Sequence, residues 1–377
     1  MKFELKHFNQ SLITFEYESK PLEGDVCRIL SVTENIALLP IGMEVSEKGL
    51  MSWLKSRVIP KNREFVETIL SKMGLSSKDT LGIIRICKGL TLNDCYWIVE
   101  EGFEGKFENY NLYKNRFSQT LALIAYTGRG STAARGFTSS PEFTTQGMLK
   151  KCWRRIDGKV CLYKGGTMGA ANTGNEPYSE YYAAQIAEVM EIKHVPYGLS
   201  KWKGTLSSTC ELFTNIDTAY VPMWRFVKKD SLIDIAQTLE RYGTEIYNSF
   251  VDMLIFDAVI YNTDRHTGNF GLLVDSHTNE VKEFAPVFDN GLSLFNFAMD
   301  DDLADLKQYA KTRLPALGGS YEDVVKNFIS DRQRAKLRKL INFKFKLHSR
   351  YNLSKARLKT IEQFLQQRVR ELLEIKN

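Results

Sequence analysis

Apolar residues recur at helical spacing in two parts of the chain and predict two helices. The stretch SEYYAAQIAEVMEI, residues 179–192, places its large apolar side chains three or four positions apart, which is typical of a helix with one buried face. Residues 231–260 are predicted to form one continuous helix. Its last part, FVDMLIFDAVI, is apolar on nearly every side, which indicates a helix at the centre of a lobe.

Other apolar runs predict strands. Two runs flank the turn Ile156-Asp157-Gly158-Lys159, a sequence typical of a β-hairpin. The segments STCELFTNI, FGLLVD and EFAPVFD also have the composition of strands. Before residue 127, short apolar runs such as NIALLPI and LGIIRIC alternate with helical stretches such as KNREFVETILSKMG, so this part is predicted to be an α+β unit.

A change in composition marks a domain limit. Residues 127–146, TGRGSTAARGFTSSPEFTTQ, are rich in Gly, Ser and Thr and are expected to form a mobile loop. The sequence therefore predicts an N-terminal α+β domain over 1–130, a mixed region over 131–225 and a mainly helical region over 226–377.

Composition excludes several classes of protein. With 377 residues and 43% hydrophobic residues the chain can bury a sizeable core. It contains no apolar run of about 18 residues, and the start MKFELKHFNQ is unlike a secretory signal, so a cytoplasmic protein is expected, without membrane contact. Its six cysteines form no CxxC pair, so neither disulfides nor a zinc site are predicted.

Charge is concentrated near the C-terminus. Residues 331–377 hold 14 Lys or Arg and 4 Asp or Glu, within a chain of net charge +6. Such a segment can attract nucleic acid or an acidic partner. The favoured interpretation is a solvated helix face, because Arg334 and Lys336 alternate with apolar residues such as Leu337 and Leu340.

Chemistry is indicated by the loop NTDRHTGNF, which follows the apolar helix directly. Polar groups held in an apolar frame suggest a site. The loop contains Asp264 and Asn269, and FAPVFDNG adds Asp289 at the end of a returning strand. Asn269 and Asp289 would offer oxygen ligands to Mg²⁺, which leaves Asp264 free to accept a proton from an attacking hydroxyl. This spacing is that of a kinase catalytic loop and its metal-binding Asp.

Upstream residues complete the pattern. Lys164 ends a predicted strand and Glu180 lies in the next helix, an arrangement that could position a cation on nucleotide phosphates. Gly147 and the preceding SSPEFTTQ could cover the phosphates, although neither GxGxxG nor a Walker A sequence is present. A DxxxxN spacing alone is weak, because Asp and Asn are common in turns. A kinase is favoured by the order of the elements: a lysine on a strand, an acid on the next helix, a polar loop behind an apolar helix, and then an aspartate after a hairpin.

With these residues in place, the chain resembles HipA-like kinases, bacterial serine/threonine protein kinases that often act as toxins of toxin–antitoxin pairs. The resemblance is clearest in VIYNTDRHTGNFGLL and EFAPVFDNG, and extends more loosely over residues 139–345. It implies an α+β, two-lobed protein-kinase-like fold with an additional N-terminal α+β domain for partner or substrate recognition. The region 131–225 would be the N-lobe and 226–377 the C-lobe.

The resemblance also implies roles for individual residues. Asp264 would be the catalytic base, Asn269 and Asp289 would bind Mg²⁺, and Lys164 would contact ATP, with Glu180 and Gly147 beside the nucleotide. Glu211-Leu212-Phe213 resembles the hinge that holds adenine. Such kinases can phosphorylate a residue of their own phosphate-covering loop, for which the candidates are Ser139, Ser140, Thr144 and Thr145. Implied partners are a protein substrate, an antitoxin and, through the antitoxin, DNA.

The sequence is compatible with further functions. Gly268 precedes Asn269 where a lysine is frequent in the family, and the first 130 residues differ from the usual N-terminal subdomain. DRHTGN is also similar to the DRHxxN loop of phosphatidylinositol kinases, which would favour a lipid or small-molecule acceptor. A binding module without turnover would retain the same fold. A metal-dependent hydrolase could use the same carboxylates and would not need Lys164.

Overall fold

The computed structural model describes residues 1–20, 24–130 and 140–376. Strands alternate with helices up to residue 284, and helices follow. The strands are β1 (Lys2–His7), β2 (Gln10–Lys20), β3 (Gly24–Val32), β4 (Tyr96–Glu100), β5 (Lys151–Ile156), β6 (Lys159–Gly165), β7 (Gly198–Trp202), β8 (Thr205–Glu211), β9 (Thr218–Pro222), β10 (Gly271–Asp275) and β11 (Val281–Phe284). The helices are α1 (Glu47–Lys55), α2 (Val66–Ser71), α3 (Thr80–Cys87), α4 (Gln119–Thr127), α5 (Glu176–Val189), α6 (Leu232–Glu240), α7 (Thr244–Ile260), α8 (Asp300–Ala304), α9 (Leu306–Ala310), α10 (Tyr321–Phe328), α11 (Asp331–Arg338) and α12 (Lys355–Glu374).

Within the described residues the strands form three sheets, with orders β3-β2-β1-β4, β5-β6-β8-β7 and β11-β10-β9. In the first sheet β1 pairs antiparallel with both β2 and β4. Alternate residues of its strands, such as Phe3, Leu5 and Phe15, enter one core together with Leu50 and Trp53 of α1. This is the pattern of a sheet with one buried face.

The chain divides into two compact units, each built from separate segments. The first contains Met1–Tyr163, Thr214–Val221 and Leu273–Lys282, and the second contains Lys164–Phe213, Pro222–Leu272 and Glu283–Asn377. The domain limits at residues 130 and 225 stay a prediction. In the described part of the chain, no helix is both long and apolar enough to cross a membrane.

The predicted hairpin is confirmed. β5 ends at Ile156 and β6 begins at Lys159, and the two turn residues Asp157 and Gly158 have φ angles of 50° and 82°. Two successive positive φ angles match the right-handed twist of the flanking strands, which is why Asp-Gly is favoured there. The hairpin carries Lys164 to the second-last position of β6.

The continuous helix predicted over 231–260 is wrong. α6 ends at Glu240 and α7 begins at Thr244, with Gly243 at a φ of 118° between them. A residue at this φ cannot continue a right-handed helix, so the chain turns there. The apolar part of the prediction is confirmed, because α7 is buried over most of its length.

Two apolar runs also differ from their predictions. LGIIRIC lies in α3, which begins where the Asp79 side chain accepts a hydrogen bond from the Gly82 backbone N–H. EFAPVFD is only partly a strand, since β11 ends at Phe284. Asp289 therefore follows an irregular segment and not the end of a strand. The intervening Val287 forms an isolated bridge to His194.

Candidate active site

The loop that carries Asp264 is shaped by the end of α7. The helix ends at Ile260, and Tyr261 takes a left-handed conformation with a φ of 51°, which turns the chain out of the helix. Asn262 then bonds in two directions: its Nδ2 donates to Asp257 Oδ1 (3.1 Å) and its Oδ1 accepts from the Asp264 N–H (3.1 Å). The position of Asp264 is thus tied to a buried helix.

Arg265 is the centre of a hydrogen-bond network. Its guanidinium is buried and donates to both carboxylate oxygens of Asp257 (2.9 and 3.0 Å). It also donates to Asn290 Oδ1 (2.6 Å) and to the backbone carbonyls of Asn269 (3.1 Å) and Phe288 (2.5 Å). These bonds join α7, the Asp264 loop and the segment after β11. Asp257 offsets the effect of burial on Arg265, so the pKa of the guanidinium is raised and it stays charged.

Asp264 is half-buried and close to a second carboxylate. Burial raises the pKa of Asp264, and the negative charge of Asp289 raises it further, while His266 and Lys164 oppose the shift. A carboxylate with a raised pKa is a better proton acceptor at neutral pH. Asn269 adjoins it, because Asn269 Nδ2 donates to the Asp264 carbonyl (2.9 Å).

Lys164 lies between two carboxylates. Its ammonium group donates to Glu180 Oε1 (2.9 Å) and to Asp289 Oδ1. Glu180 is fully buried and also accepts a hydrogen bond from the Asn290 N–H (2.8 Å). Burial lowers the pKa of Lys164, but Asp289 and Glu180 more than offset this, so the net shift is upward. Lys164 is therefore a cation held in place by the carboxylates of Glu180 and Asp289.

Asp289 has an unusual backbone conformation, with a φ of 56°. Asp tolerates the left-handed region better than most residues because its short side chain can bond locally. Its N–H donates to the Tyr197 hydroxyl oxygen (3.2 Å), and its side chain is 31% exposed. The conformation thus presents a carboxylate that remains accessible beside a buried lysine.

The second unit brings together most of the predicted site. Lys164, Glu180 and Asp289 are in direct contact, and Asp264 and Asn269 are linked within their loop. Glu180 lies in the second turn of α5, which begins at Glu176. Of the predicted hinge, Glu211 ends β8, and the ring of Phe213 lies 5.4 Å from that of Phe288.

Gly147 and the candidate phosphorylation sites belong to the first unit. Ser140 and Thr144 are buried, and Thr144 Oγ1 donates to the Leu90 carbonyl (2.8 Å). Thr145 Oγ1 donates to the Pro141 carbonyl (2.7 Å). Ser139 lies outside the described residues. Gly147 has a φ of 91°, a backbone conformation that residues with a side chain rarely adopt, which explains the need for glycine.

Sequence reasoning assigned no role to Arg265, Asp257 or Tyr197. A signal for the first two was present, because Asp257 is one of two charged residues in the apolar stretch FVDMLIFDAVI. A charge in such a helix needs a partner, and the loop that follows contains Arg265. Tyr197 had no comparable signal, since its contact with Asp289 joins positions 92 residues apart.

The ligands in the site fit a magnesium–nucleotide complex. Among the residues that the structure describes, no three His, Cys, Asp or Glu side chains are grouped to hold a metal ion by themselves. Mg²⁺ is commonly held by one or two carboxylates together with substrate phosphates and water. Asp289 could offer one carboxylate and Asn269 one amide oxygen to such an ion, and Lys164 could offer a cation to phosphate.

No protein-family model matches the chain. Among curated proteins, it is 26% identical over 140 residues to the serine/threonine-protein kinase CtkA of Helicobacter pylori. That match covers 33% of this chain and 43% of CtkA, so the chain spans less than half the length of this relative.

Among solved structures, the chain matches HipA of Shewanella oneidensis, from a complex of HipA, HipB and operator DNA. The match covers 100% of both chains with a TM-score of 0.52 and 11% sequence identity. A crystal structure of the Helicobacter pylori proinflammatory kinase CtkA matches 60% of this chain and 92% of its own, with a TM-score of 0.48 and 19% identity. The full-length match shows a mixed α+β fold of the HipA type.

Proposed function

Because the chain is a distant relative of the HipA-like and CtkA-like serine/threonine kinases, we propose that it is an ATP- and Mg²⁺-dependent serine/threonine protein kinase. It would transfer the γ-phosphate of ATP to a protein hydroxyl. The observation that carries this proposal is the contact of Lys164 with both Glu180 and Asp289. Protein kinases use a lysine paired with a helix glutamate beside an aspartate that binds Mg²⁺, and Asp289 would be that aspartate here.

Each side chain then has a distinct role. Lys164 would bind the nucleotide phosphates, held in place by Glu180. Asp289 and Asn269 would hold Mg²⁺, which neutralises phosphate charge when bound. Asp264 would accept the proton of the attacking hydroxyl, and the upward shift of its pKa supports this role.

The remaining roles follow from the family. Glu211 and Phe213 would adjoin the adenine, and Gly147 would belong to the phosphate-covering segment. Ser139, Ser140, Thr144 and Thr145 are the proposed autophosphorylation candidates. Ser140 and Thr144 are buried, so their modification would require this segment to open. Residues 1–130 are proposed to recognise a partner, and the lobes would comprise 131–225 and 226–377.

A partner is proposed by analogy with the Shewanella protein, whose structure contains HipB and operator DNA. An antitoxin could bind this chain in the same way and bring it to DNA. The acceptor would be a protein, in keeping with the description of the Helicobacter relative as a serine/threonine-protein kinase.

The test is phosphate transfer from γ-labelled ATP in the presence of Mg²⁺, with a protein extract, phosphatidylinositol and small alcohols offered as acceptors. We expect label on protein, its loss with EDTA, and its loss in Asp264→Asn. Asp301→Asn, an exposed aspartate of α8, is the matched control and should retain activity. Label on lipid alone would identify a lipid kinase. ATP hydrolysis that persists in Lys164→Met, without transfer, would indicate a hydrolase.

A further inference from the structure

Residues 290–298, which follow Asp289, are bound to α5 and to the loop before it, and we call them the clasped segment. Hydrogen bonds make this connection: the Asn290 N–H donates to Glu180 Oε2 (2.8 Å), Ser179 Oγ donates to the Ser293 carbonyl (3.0 Å), Asn175 Nδ2 to the Asn296 carbonyl (2.8 Å) and Asn172 Nδ2 to the Phe297 carbonyl (2.9 Å). Residue numbers fall along one stretch as they rise along the other, so the two stretches run side by side in opposite directions. The contact therefore extends from Glu180, the partner of Lys164, to the loop before α5.

Asn175 is the N-cap residue of α5, and its side chain holds the clasped segment instead of the helix. An asparagine at this position usually accepts a hydrogen bond from the first turn of its helix through Oδ1. Among the described residues, the Asn175 side chain accepts no such bond, and its Nδ2 donates to the Asn296 carbonyl. The residue that would cap α5 is thus used to fix the neighbouring chain.

Arg357 of α12 holds the clasped segment as well. Its guanidinium donates to the carbonyls of Phe295 (2.6 Å) and Ala298 (2.8 Å). Between these contacts and Asp289 the backbone is unusual, because Leu294 and Phe295 have φ angles of 51° and 57°. Large side chains rarely adopt this left-handed conformation, which persists only where the surrounding structure enforces it. The contacts of the clasped segment therefore maintain a strained conformation.

The hydroxyl groups near Asp289 are unsuited to regulation by phosphorylation. In many protein kinases, phosphorylation orders the segment after the metal-binding aspartate, and the helix glutamate then pairs with its lysine. Residues 289–299, all of them described, contain Ser293 as their single Ser, Thr or Tyr. Ser293 is 1% exposed, and its Oγ donates to the Asn290 carbonyl (2.7 Å). Side-chain amides and one guanidinium supply the order that a phosphate supplies elsewhere.

We infer that Asn172, Asn175 and Arg357 are positioning residues for the candidate active site. They hold the clasped segment in one conformation against α5. Glu180 therefore stays paired with Lys164 before any phosphorylation of the protein. This inference rests on the proposed kinase function, since it concerns how the pair that would bind the nucleotide phosphates is kept in place.

The first experiment measures transfer from γ-labelled ATP to protein by Asn175→Asp. Aspartate caps a helix as well as asparagine does, so the melting temperature should stay close to that of the wild-type protein. Its carboxylate cannot donate to the Asn296 carbonyl, so kcat should fall about tenfold or more. The KM for ATP should rise about threefold or more, because Lys164 is held less firmly, whereas a mere loss of folded protein would leave KM unchanged.

A matched control and a second variant accompany this experiment. Asn327→Asp makes the same change at an exposed position of α10 and should keep kcat within about twofold of wild type. Arg357→Lys keeps the positive charge but lacks the planar fork that reaches two carbonyls, so it should lower kcat and raise KM in the same way. It tests the inference even where Asn175→Asp does not fold.

The second experiment asks whether the site is assembled before phosphorylation. Wild-type protein is treated with a phosphatase, freed of it, and mixed with ATP, Mg²⁺ and a protein extract. We expect label to accumulate linearly from the start, because the contacts that pair Glu180 with Lys164 need no phosphate. A lag that incubation with ATP beforehand removes would overturn the inference.

The remaining outcomes separate this inference from the proposed function. Unchanged kcat and KM in both Asn175→Asp and Arg357→Lys would overturn the inference and leave the kinase intact. A lower kcat with an unchanged KM for ATP and a lower melting temperature would assign these residues a structural role alone, which also overturns it. Absence of transfer by the wild-type protein to every acceptor would overturn the proposed kinase, and this inference with it.

Discussion

Two of the polar clusters that the structure describes in the second unit differ in how far they are buried. Around Arg265 every observed partner comes from the fold itself: a carboxylate, an amide and two backbone carbonyls surround one buried guanidinium. The ammonium group of Lys164 contacts the carboxylates of Glu180 and Asp289, and the side chain of Asp289 is 31% exposed. The first cluster is closed, whereas the second keeps excess negative charge at an accessible edge.

The difference separates scaffold from chemistry. A closed network holds chain segments in place, because breaking it would leave a buried charge without a partner. An open cluster with excess negative charge is suited to receive a cation and its ligand. Removing a group from the closed cluster should therefore affect stability first, and removing one from the open cluster should affect activity first.

The largest expected effect comes from the open cluster. Asp289→Asn removes the proposed metal-binding carboxylate, so phosphoryl transfer should fall at least about 100-fold. Lys164 keeps Glu180 as a partner, and the lost contact is partly exposed, so the free energy of unfolding should change by about 1 kcal/mol or less. Kinase assays and urea denaturation measure the two quantities. A large loss of stability with retained activity would reverse the assignment of the clusters.

The closed cluster should respond in the opposite order. Arg265→Met leaves Asp257 buried and unpaired, which should lower the free energy of unfolding by about 3–5 kcal/mol. Arg332→Met is the matched control, because Arg332 is 39% exposed and its ion pairs are long (3.4 Å). Its effect should be about 1 kcal/mol or less.

A double variant sharpens this result. Arg265→Met/Asp257→Leu removes both charges, so much of the lost stability should return. Activity should not return, because the bonds to the Asn269 and Phe288 carbonyls remain absent. Full recovery of activity would show that Arg265 has no positioning role.

A smaller effect is expected on pH dependence. Burial, with a further contribution from Asp289, raises the pKa of Asp264, so activity should rise with pH through a pKa above that of an ordinary aspartate. The sign for stability is opposite: the folded state binds the proton more tightly, so stability falls as pH increases through that window. Asp264→Asn has no carboxyl group to ionise at this position, so it should have a slightly higher melting temperature than the wild-type protein at neutral pH. A melting difference that grows towards acid pH would contradict this account.

The smallest effect concerns Tyr197. Tyr197→Phe removes the acceptor of the Asp289 N–H, so Asp289 should hold its left-handed conformation less firmly. We expect the Mg²⁺ concentration for half-maximal activity to rise a few-fold, with little change in kcat at saturating Mg²⁺. An equal loss of kcat would assign Tyr197 a more direct role.

Local rules predicted much of this molecule. Residues close in sequence determine the Asp157-Gly158 turn and the helix α5. The order of strand β6 and helix α5 along the chain was enough to predict the pairing of Lys164 with Glu180. Other features depend on distant contacts. The spacing of apolar residues contains no information about the backbone conformation of Gly243, so it does not predict the break between α6 and α7. The partners of Arg265 span positions 257–290, and no single window of sequence contains the network that they form.

The segmented first unit has a consequence for the order of synthesis. Its main segment ends at Tyr163, but the unit also includes residues up to Lys282. These last residues leave the ribosome 119 positions later, a delay of roughly 6–24 s at ordinary rates of translation. During that interval the first unit lacks part of its chain. Expression of residues 1–163 alone would make this incomplete state permanent, so a usable fragment must be designed by joining its three segments.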